Sequence, residues 1–288
     1  MHYNEYEWQS TSGLKLFAQS WSTQNEPEAI ICLVHGLGEH SGRYAHMAAY
    51  LIEHGFAVIT YDLCGHGRSE GQRGHVQSFD TYMDDIDLLV EKAGDQYPGK
   101  LRFLYGHSLG GLLVLNYALR RKADLAGVVA SGAGLKSEVQ NQTFKVALSK
   151  MLGMVVPKLS MPSGLEANMI SRDPEVVEAY VNDPLVHDRA TVGLAKNSFD
   201  AIDWVYDNAS NFDIPLLLMQ GTEDRITFPE GSEEFANRVH CEYTLKLWPG
   251  LYHELHNEPE KEQVFEYLVE WLNKILNARD DSSRFSMN

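Results

Sequence analysis

Six short apolar runs punctuate the chain. They are "AIICLV" (29–34), "FAVITY" (56–61), "RFLY" (102–105), "GVVAS" (127–131), "PLLLM" (215–219) and "YTLKLW" (243–248). Their brevity, β-branched content and lack of alternation predict strands buried on both faces of a sheet. The stretches between them change period. Phe79, Tyr82, Met83, Ile86, Leu89, Val90 and Ala93 keep helical spacing, with Asp80, Asp84, Asp87 and Glu91 on the opposite face. Val264, Phe265, Leu268, Trp271, Leu272, Ile275 and Leu276 form a second stripe, and Pro259 is expected in the first turn of that last helix. At the N-terminal end, "YEWQS" and "LKLFAQSW" flank Ser12-Gly13 and predict a hairpin at one sheet edge.

Alternating strand and helix predicts an α/β fold: a mostly parallel central sheet with helices on both faces. The rhythm breaks between about 135 and 205, where Pro157, Pro162, Pro174 and Pro184 interrupt helical fragments. This insertion is expected to form a helical cap over the C-terminal strand ends, where open α/β sheets place their sites. The predicted organisation is therefore a core in two parts, 1–134 and 206–276, a cap or lid at 135–205, and a polar, flexible tail at 277–288.

Of the 288 residues, 44% are hydrophobic and 22% charged, which fits a globular protein, and 40 acidic residues against 24 basic give a net charge of −16. That balance argues against nucleic acid as a partner but not against a neutral, greasy substrate. "MHYNEYEWQS" has neither a basic n-region nor an apolar core, so no signal peptide is expected, and no apolar run is long enough to span a membrane. Cys32, Cys64 and Cys241 lack metal-ligand spacing, and their odd number makes a poor disulfide framework. A cytoplasmic location with transient contact with membranes is the expectation.

The pattern G-x-S-x-G occurs twice, at Gly67–Gly71 and Gly106–Gly110. A nucleophile elbow needs a strand, a sharp turn and a helix starting at the serine, so that the helix N-terminus offers free N–H groups to an oxyanion. Ser108 has all three: "LRFLY" before it and "LGGLLVLNYALRR" after. Ser69 is followed by "EGQRGHV", which has no helical period, and reads as loop. Ser108 is thus the candidate nucleophile. Its base and orienting acid are expected downstream, acid first. "LLLMQGTEDRITFP" offers Asp224, with Glu223 the alternative, and "KLWPGLYHELHNEP" offers His253, with His256 expected to line the site. The oxyanion donors are expected to be the backbone N–H groups of Leu109 and of Leu37, the latter between Gly36 and Gly38.

With those residues in place, the chain resembles the monoacylglycerol lipase and serine lysophospholipase branch of the α/β hydrolases. "HGLGEHSGRY", "GHGRSEG", "GHSLGG", "YVNDPLV", "QGTEDRIT" and "YHELHNE" match that family's segments in the same order, over roughly residues 8–275. The resemblance implies an α/β-hydrolase fold and cofactor-free hydrolysis of a monoacylglycerol to glycerol and a fatty acid. It also implies that Glu39, Arg43, Tyr180 and His256 hold the glycerol end. A loop ion pair for Glu39 and Arg43, and a cap-core role for Tyr180, are the plainer alternatives. Mammalian members carry cysteines where this chain has His187 and Thr227, so thiol reagents are expected to have less purchase. A lysophospholipase, a broad carboxylesterase and a non-catalytic lipid-binding protein are the competing functions. Dehalogenases and epoxide hydrolases are disfavoured, because their elbow carries an acid where this one has Ser108.

The segment 143–159 carries Phe144, Val146, Ala147, Leu148, Met151, Leu152, Met154, Val155, Val156 and Leu159, more apolar positions than one helical stripe needs. Packing on the sheet domain accounts for one face. The excess is expected to line an acyl channel or touch a membrane or micelle surface, with Lys145, Lys150 and Lys158 beside lipid headgroups. Each buried methylene would contribute ~0.8 kcal/mol to binding an acyl chain.

Overall fold

The computed structural model describes residues 1–121, 123–138 and 151–285. Eight strands form one sheet: β1 (His2–Gln9), β2 (Lys15–Ser22), β3 (Ala29–Val34), β4 (Phe56–Tyr61), β5 (Leu101–His107), β6 (Gly127–Ser131), β9 (Leu216–Gly221) and β10 (Tyr243–Trp248). Their order is β1-β2-β4-β3-β5-β6-β9-β10. β1 and β2 form the antiparallel edge expected around Ser12-Gly13, β2 pairs antiparallel with β4, and every later pairing is parallel.

Strand alternation divides the core between the two faces. Ile30, Cys32 and Val34 of β3 pack with α2 (Phe79–Gln96) and α3 (Leu109–Arg120), while Ile31 and Leu33 pack with α1 (Ala45–Glu53) and the last helix. All these strand residues are fully or almost fully buried. The continuous apolar runs of the sequence have this cause, since both faces of each central strand are covered.

Between β6 and β9 lie a small antiparallel pair, β7 (Ser160–Pro162) and β8 (Arg189–Thr191), and two helices, α4 (Pro174–Asn182) and α5 (Val192–Asn208). Asp173 caps α4 through the Glu175 N–H (2.9 Å), with Pro174 in the first turn. The pair β7–β8 has no hydrophobic period, which is why it is invisible in the sequence. Residues 143–150 of the apolar segment, with Phe144, Lys145, Val146, Ala147, Leu148 and Lys150, lie outside the described residues. After β9 come α6 (Pro229–Ala236) and, beyond β10, α7 (Lys261–Phe285).

One expectation about the last helix needs correction: Pro259 stands before α7 rather than in its first turn. The helix runs on to Phe285, and the Arg279 guanidinium donates to the Leu125 carbonyl (2.9 Å).

Candidate active site

The turn between β5 and α3 carries the one non-glycine residue among those described with a positive φ. Ser108 has φ 54° and ψ −116°, a conformation costing about 1–3 kcal/mol that only a rigid surround maintains. Gly106 and Gly110 supply that surround: a Cβ on Gly106 would overlap the Gly110 carbonyl, and one on Gly110 would overlap the Val34 carbonyl. The helix and the strand therefore meet at backbone contact. Leu109 is the first residue of α3, so its N–H has no intrahelical acceptor.

The loop after β3 approaches from the other side. Gly36 lacks room for a side chain, since its Cβ would stand 3.0 Å from Ser108 Cβ and 2.9 Å from Glu39 Oε1. Among the described residues nothing accepts from the N–H of Leu37 or of Leu109. Both donors therefore border the Ser108 turn unused.

Asp224 and His253 follow β9 and β10. His253 Nδ1 lies 2.8 Å from Asp224 Oδ2, so Nδ1 carries the ring proton and Nε2 keeps its lone pair. Burial of His253 opposes its charge, but the Asp224 carboxylate outweighs that penalty and raises its pKa above 6.5. Ser108 and His253 line one cavity of about 10 Å³ together with Gly36, Leu37, Glu39 and Tyr180. No direct hydrogen bond joins Ser108 and His253 among the described residues, and such contacts commonly tighten only when substrate binds.

The alternatives raised by the sequence lie elsewhere. Glu223 is exposed beside Arg225 at 3.8 Å. Ser69 is committed to the backbone: its hydroxyl donates to the Asp62 carbonyl (2.6 Å) and accepts from the Phe17 N–H (2.9 Å). His107 bonds the Ser131 carbonyl through Nδ1 (3.1 Å), bracing the elbow from beneath.

The residues expected at the glycerol end form a buried charge cluster. Arg43 Nη1 donates to Glu39 Oε2 (2.8 Å), and the two guanidinium ends reach both oxygens of Glu254 at 2.6 Å. Glu39 Oε1 also accepts from the Gly36 N–H (2.6 Å) and the Tyr44 hydroxyl (2.8 Å). Arg43 lies over the Tyr180 ring, 4.7 Å from its centroid. The Glu39–Arg43 ion pair therefore exists, yet it is buried and faces the Ser108 cavity through Glu39. His256 does not line that cavity. It is sandwiched against Tyr44 (4.5 Å) and touches His107 edge-on (4.8 Å), and burial pushes its pKa down to about 3. Sequence reading missed Glu254. Burial penalises its charge, but Arg43 wins and holds it well below the usual carboxylate range. Its place beside His253, on a loop at the site-bearing edge, was the available signal.

These features define an α/β hydrolase with a serine elbow, and comparison with known proteins agrees. The family model described as "Serine aminopeptidase, S33" matches residues 25–260. The chain belongs to the monoacylglycerol lipase family within that superfamily. It is 34% identical to the monoacylglycerol lipase of Mycolicibacterium smegmatis over 93% of this chain and 96% of that one. An uncharacterized abhydrolase domain-containing protein of Dictyostelium discoideum is 37% identical over 95% of this chain, which spans 29% of that relative's length. The crystal structure of Paleococcus ferrophilus monoacylglycerol lipase superposes with a TM-score of 0.83 at 40% identity, covering 90% of this chain and 99% of that one.

Proposed function

We propose that this protein is a serine esterase that hydrolyses monoacylglycerols to glycerol and a fatty acid. One observation carries the reading: a strained serine at a helix N-terminus faces two unused backbone donors, with an Asp-oriented imidazole lining the same cavity. In this mechanism His253 Nε2 takes the proton of Ser108 Oγ as the oxygen attacks the ester carbonyl. The N–H groups of Leu37 and Leu109 receive the oxyanion, and Asp224 stabilises the imidazolium. His253 then protonates the leaving glycerol. Water, deprotonated by the same ring, cleaves the acyl-enzyme.

Glu39 and Tyr180 supply polar atoms on the cavity wall, which suits a small alcohol. His256 acts in this reading as packing beneath the site. The segment 135–205 is the proposed cap, contributing Leu165, Ile170 and Tyr180 to the cavity. It exposes Met151, Met154, Val155, Val156, Leu159 and Met161, with Lys158 among them, and we assign these side chains to contact with a lipid surface. No helix among the described residues is long and apolar enough to cross a membrane.

Turnover of monoolein, lysophosphatidylcholine and a short-chain nitrophenyl ester tests the substrate class, with fluorophosphonate labelling as the test of the nucleophile. Monoolein is expected to be the best of the three. Ser108→Ala should lose both turnover and labelling while Ser69→Ala keeps labelling at Ser108. Equal losses in the two variants would overturn the choice of nucleophile, and preference for the phospholipid would overturn the substrate.

A further inference from the structure

The strand "LLLMQG" places one amide, Gln220, in a fully buried apolar run. Its orientation is fixed by its neighbours. Gln220 Oε1 accepts from the Ser232 hydroxyl (2.9 Å), so the NH₂ end faces the site. One N–H of Nε2 goes to Asp224 Oδ2 (2.7 Å) and the other to the Thr227 carbonyl (2.8 Å).

Counting donors around Asp224 then decides where Thr227 points. A carboxylate has about four lone-pair sites. Oδ1 accepts from the N–H groups of Ile226 (2.9 Å) and Thr227 (3.0 Å), and Oδ2 from Gln220 and His253. All four are filled. The Thr227 hydroxyl lies 3.0 Å from Asp224 Oδ2 and 3.0 Å from the Gly132 carbonyl. With Oδ2 saturated, its single proton goes to Gly132. The hydroxyl lone pair is left facing His253 Nδ1, 3.1 Å away.

We propose that Gln220 and Thr227 are positioning residues: Gln220 locks the Asp224 carboxylate, and Thr227 serves as a second acceptor for the Nδ1 proton of His253. The inference rests on the assignment of Ser108, His253 and Asp224 as the reacting set. A carboxylate held by four donors cannot rotate, so it keeps Oδ2 aimed at His253 Nδ1. Thr227 shares the imidazolium proton when the ring is charged. Its other tie, to Gly132 at φ 54°, holds the end of β6 against the His253 ring. The remaining groups facing His253 are Glu39 from the loop after β3, His107 from the elbow, and Glu254 and His256 from its own loop. None of these touches Nδ1.

The test measures kcat and KM on a soluble nitrophenyl ester from pH 5 to 9, with active sites counted by fluorophosphonate titration and folding followed by melting. Gln220→Met should lower kcat per titrated site about 10–100-fold with KM within about twofold, as expected when an orienting contact is lost. Gln220→Glu is the sharper variant. Only its protonated form can donate to Asp224, so activity should fall as pH rises, giving a descending limb that the parent protein lacks. Thr227→Val should lower kcat about tenfold and move the acid limb to lower pH, because the imidazolium loses an acceptor. Thr227→Ser should restore both. Unchanged kcat per site in Gln220→Met, or a Gln220→Glu profile parallel to the parent's, would overturn the inference. If Ser108→Ala is inactive while these variants behave normally, the clamp alone fails. If Ser108→Ala still turns over, the assignment of the reacting set fails with it.

Discussion

Arg43→Met offers the most quantitative test of the buried cluster beside the site. The side chains of Arg43, Glu39 and Glu254 are 10%, 3% and 4% exposed. At an effective dielectric of 20, each charge pair about 4 Å apart is attracted by about 4 kcal/mol before desolvation. Removing one partner of a buried pair costs about 3–5 kcal/mol, chiefly because a charge is left unpaired. The two carboxylates do not share that penalty equally. Without Arg43, Glu39 keeps the Gly36 N–H and the Tyr44 hydroxyl, whereas among the described residues Glu254 keeps only the Asn257 amide at 2.7 Å. Glu254 is therefore the group that takes up a proton.

The pH dependence follows from the sign of that change. In the parent protein Glu254 has a folded pKa below its unfolded value of 4.5. Its contribution is present above pH 4.5 and is lost only as pH falls through the folded value. In Arg43→Met, burial raises the folded pKa instead, so stability is full below the unfolded value and declines as pH rises through the new one. Each unit of that rise is worth about 1.4 kcal/mol. Urea denaturation should show a deficit of about 3–5 kcal/mol at pH 8, smaller at pH 5 by roughly one such unit or more, with m unchanged. Adding Glu254→Gln should recover most of the loss at pH 8. A deficit constant from pH 5 to 8, or a double variant no better than the single one, would refute the reasoning.

Three further outcomes are expected. Leu37→Pro removes a proposed oxyanion donor whose N–H serves no acceptor among the described residues, so stopped assays should show kcat lower by about 10²–10³; an unchanged kcat would place the oxyanion elsewhere. Because Asp224 raises the pKa of His253 above 6.5 and the proposed base acts unprotonated, kcat/KM should rise with pH along a limb centred above 6.5, and Asp224→Asn should remove that shift. Burial raises the Asp85 carboxyl from 3.8 to about 6, so the fold is most stable with it protonated and loses stability as pH rises from about 4 through 6. Asp85→Asn should flatten that slope and gain up to about 3 kcal/mol at pH 8, read from urea midpoints at pH 4 and pH 8.

The central strands were legible because they are covered on both faces, whereas β10, expected to be buried, is the sheet edge and buries only Trp248. "AIICLV", "FAVITY", "GVVAS" and "YTLKLW" became β3, β4, β6 and β10 at the predicted residues. The three-residue strands β7 and β8 offered no such signal: they lie outside the core, where the sequence need not be apolar. The elbow was legible from context, since strand, glycines and helix are all local. Contacts made across the sheet edge were not. Glu254 pairs with Arg43, 211 residues away, and no local pattern marks a carboxylate whose partner is that distant. Gln220 was visible as an amide in a buried strand, but its partners, Ser232, Asp224 and Thr227, come together only in the fold. His256 illustrates the opposite error: proximity in sequence to His253 suggested a place in the site, and ring packing against Tyr44 takes it away.

The size of the cavity adds a constraint on any lipid substrate. About 10 Å³ at Ser108 is room for about one water, so an acyl ester reaches the serine only if a wall moves. The walls contributed by the insertion are Leu165, Ile170 and Tyr180, and they are not equally held. Ile170 is pinned: its carbonyl accepts from the Glu254 N–H (2.8 Å), Ser171 bonds the Asn257 carbonyl (2.9 Å), and Arg172 pairs with Glu258 (2.5 Å). Moving it would disturb the loop that carries His253. Tyr180 lies beneath a segment joined to the core at His187 N–H to the Gly38 carbonyl (2.9 Å) and His40 to Asp183 (2.9 Å). Leu165 makes no hydrogen bond to the core among the described residues: its N–H donates to Ser163 Oγ (3.3 Å), and the Ser163 N–H and the β7–β8 pairing just before it hold to Asp188 and Arg189–Thr191, all within the insertion. Leu165 is thus the wall whose displacement breaks the fewest bonds and leaves the His253 loop intact. It lies three residues beyond β7 (Ser160–Pro162), in the insertion whose Met154, Val155 and Leu159 are exposed.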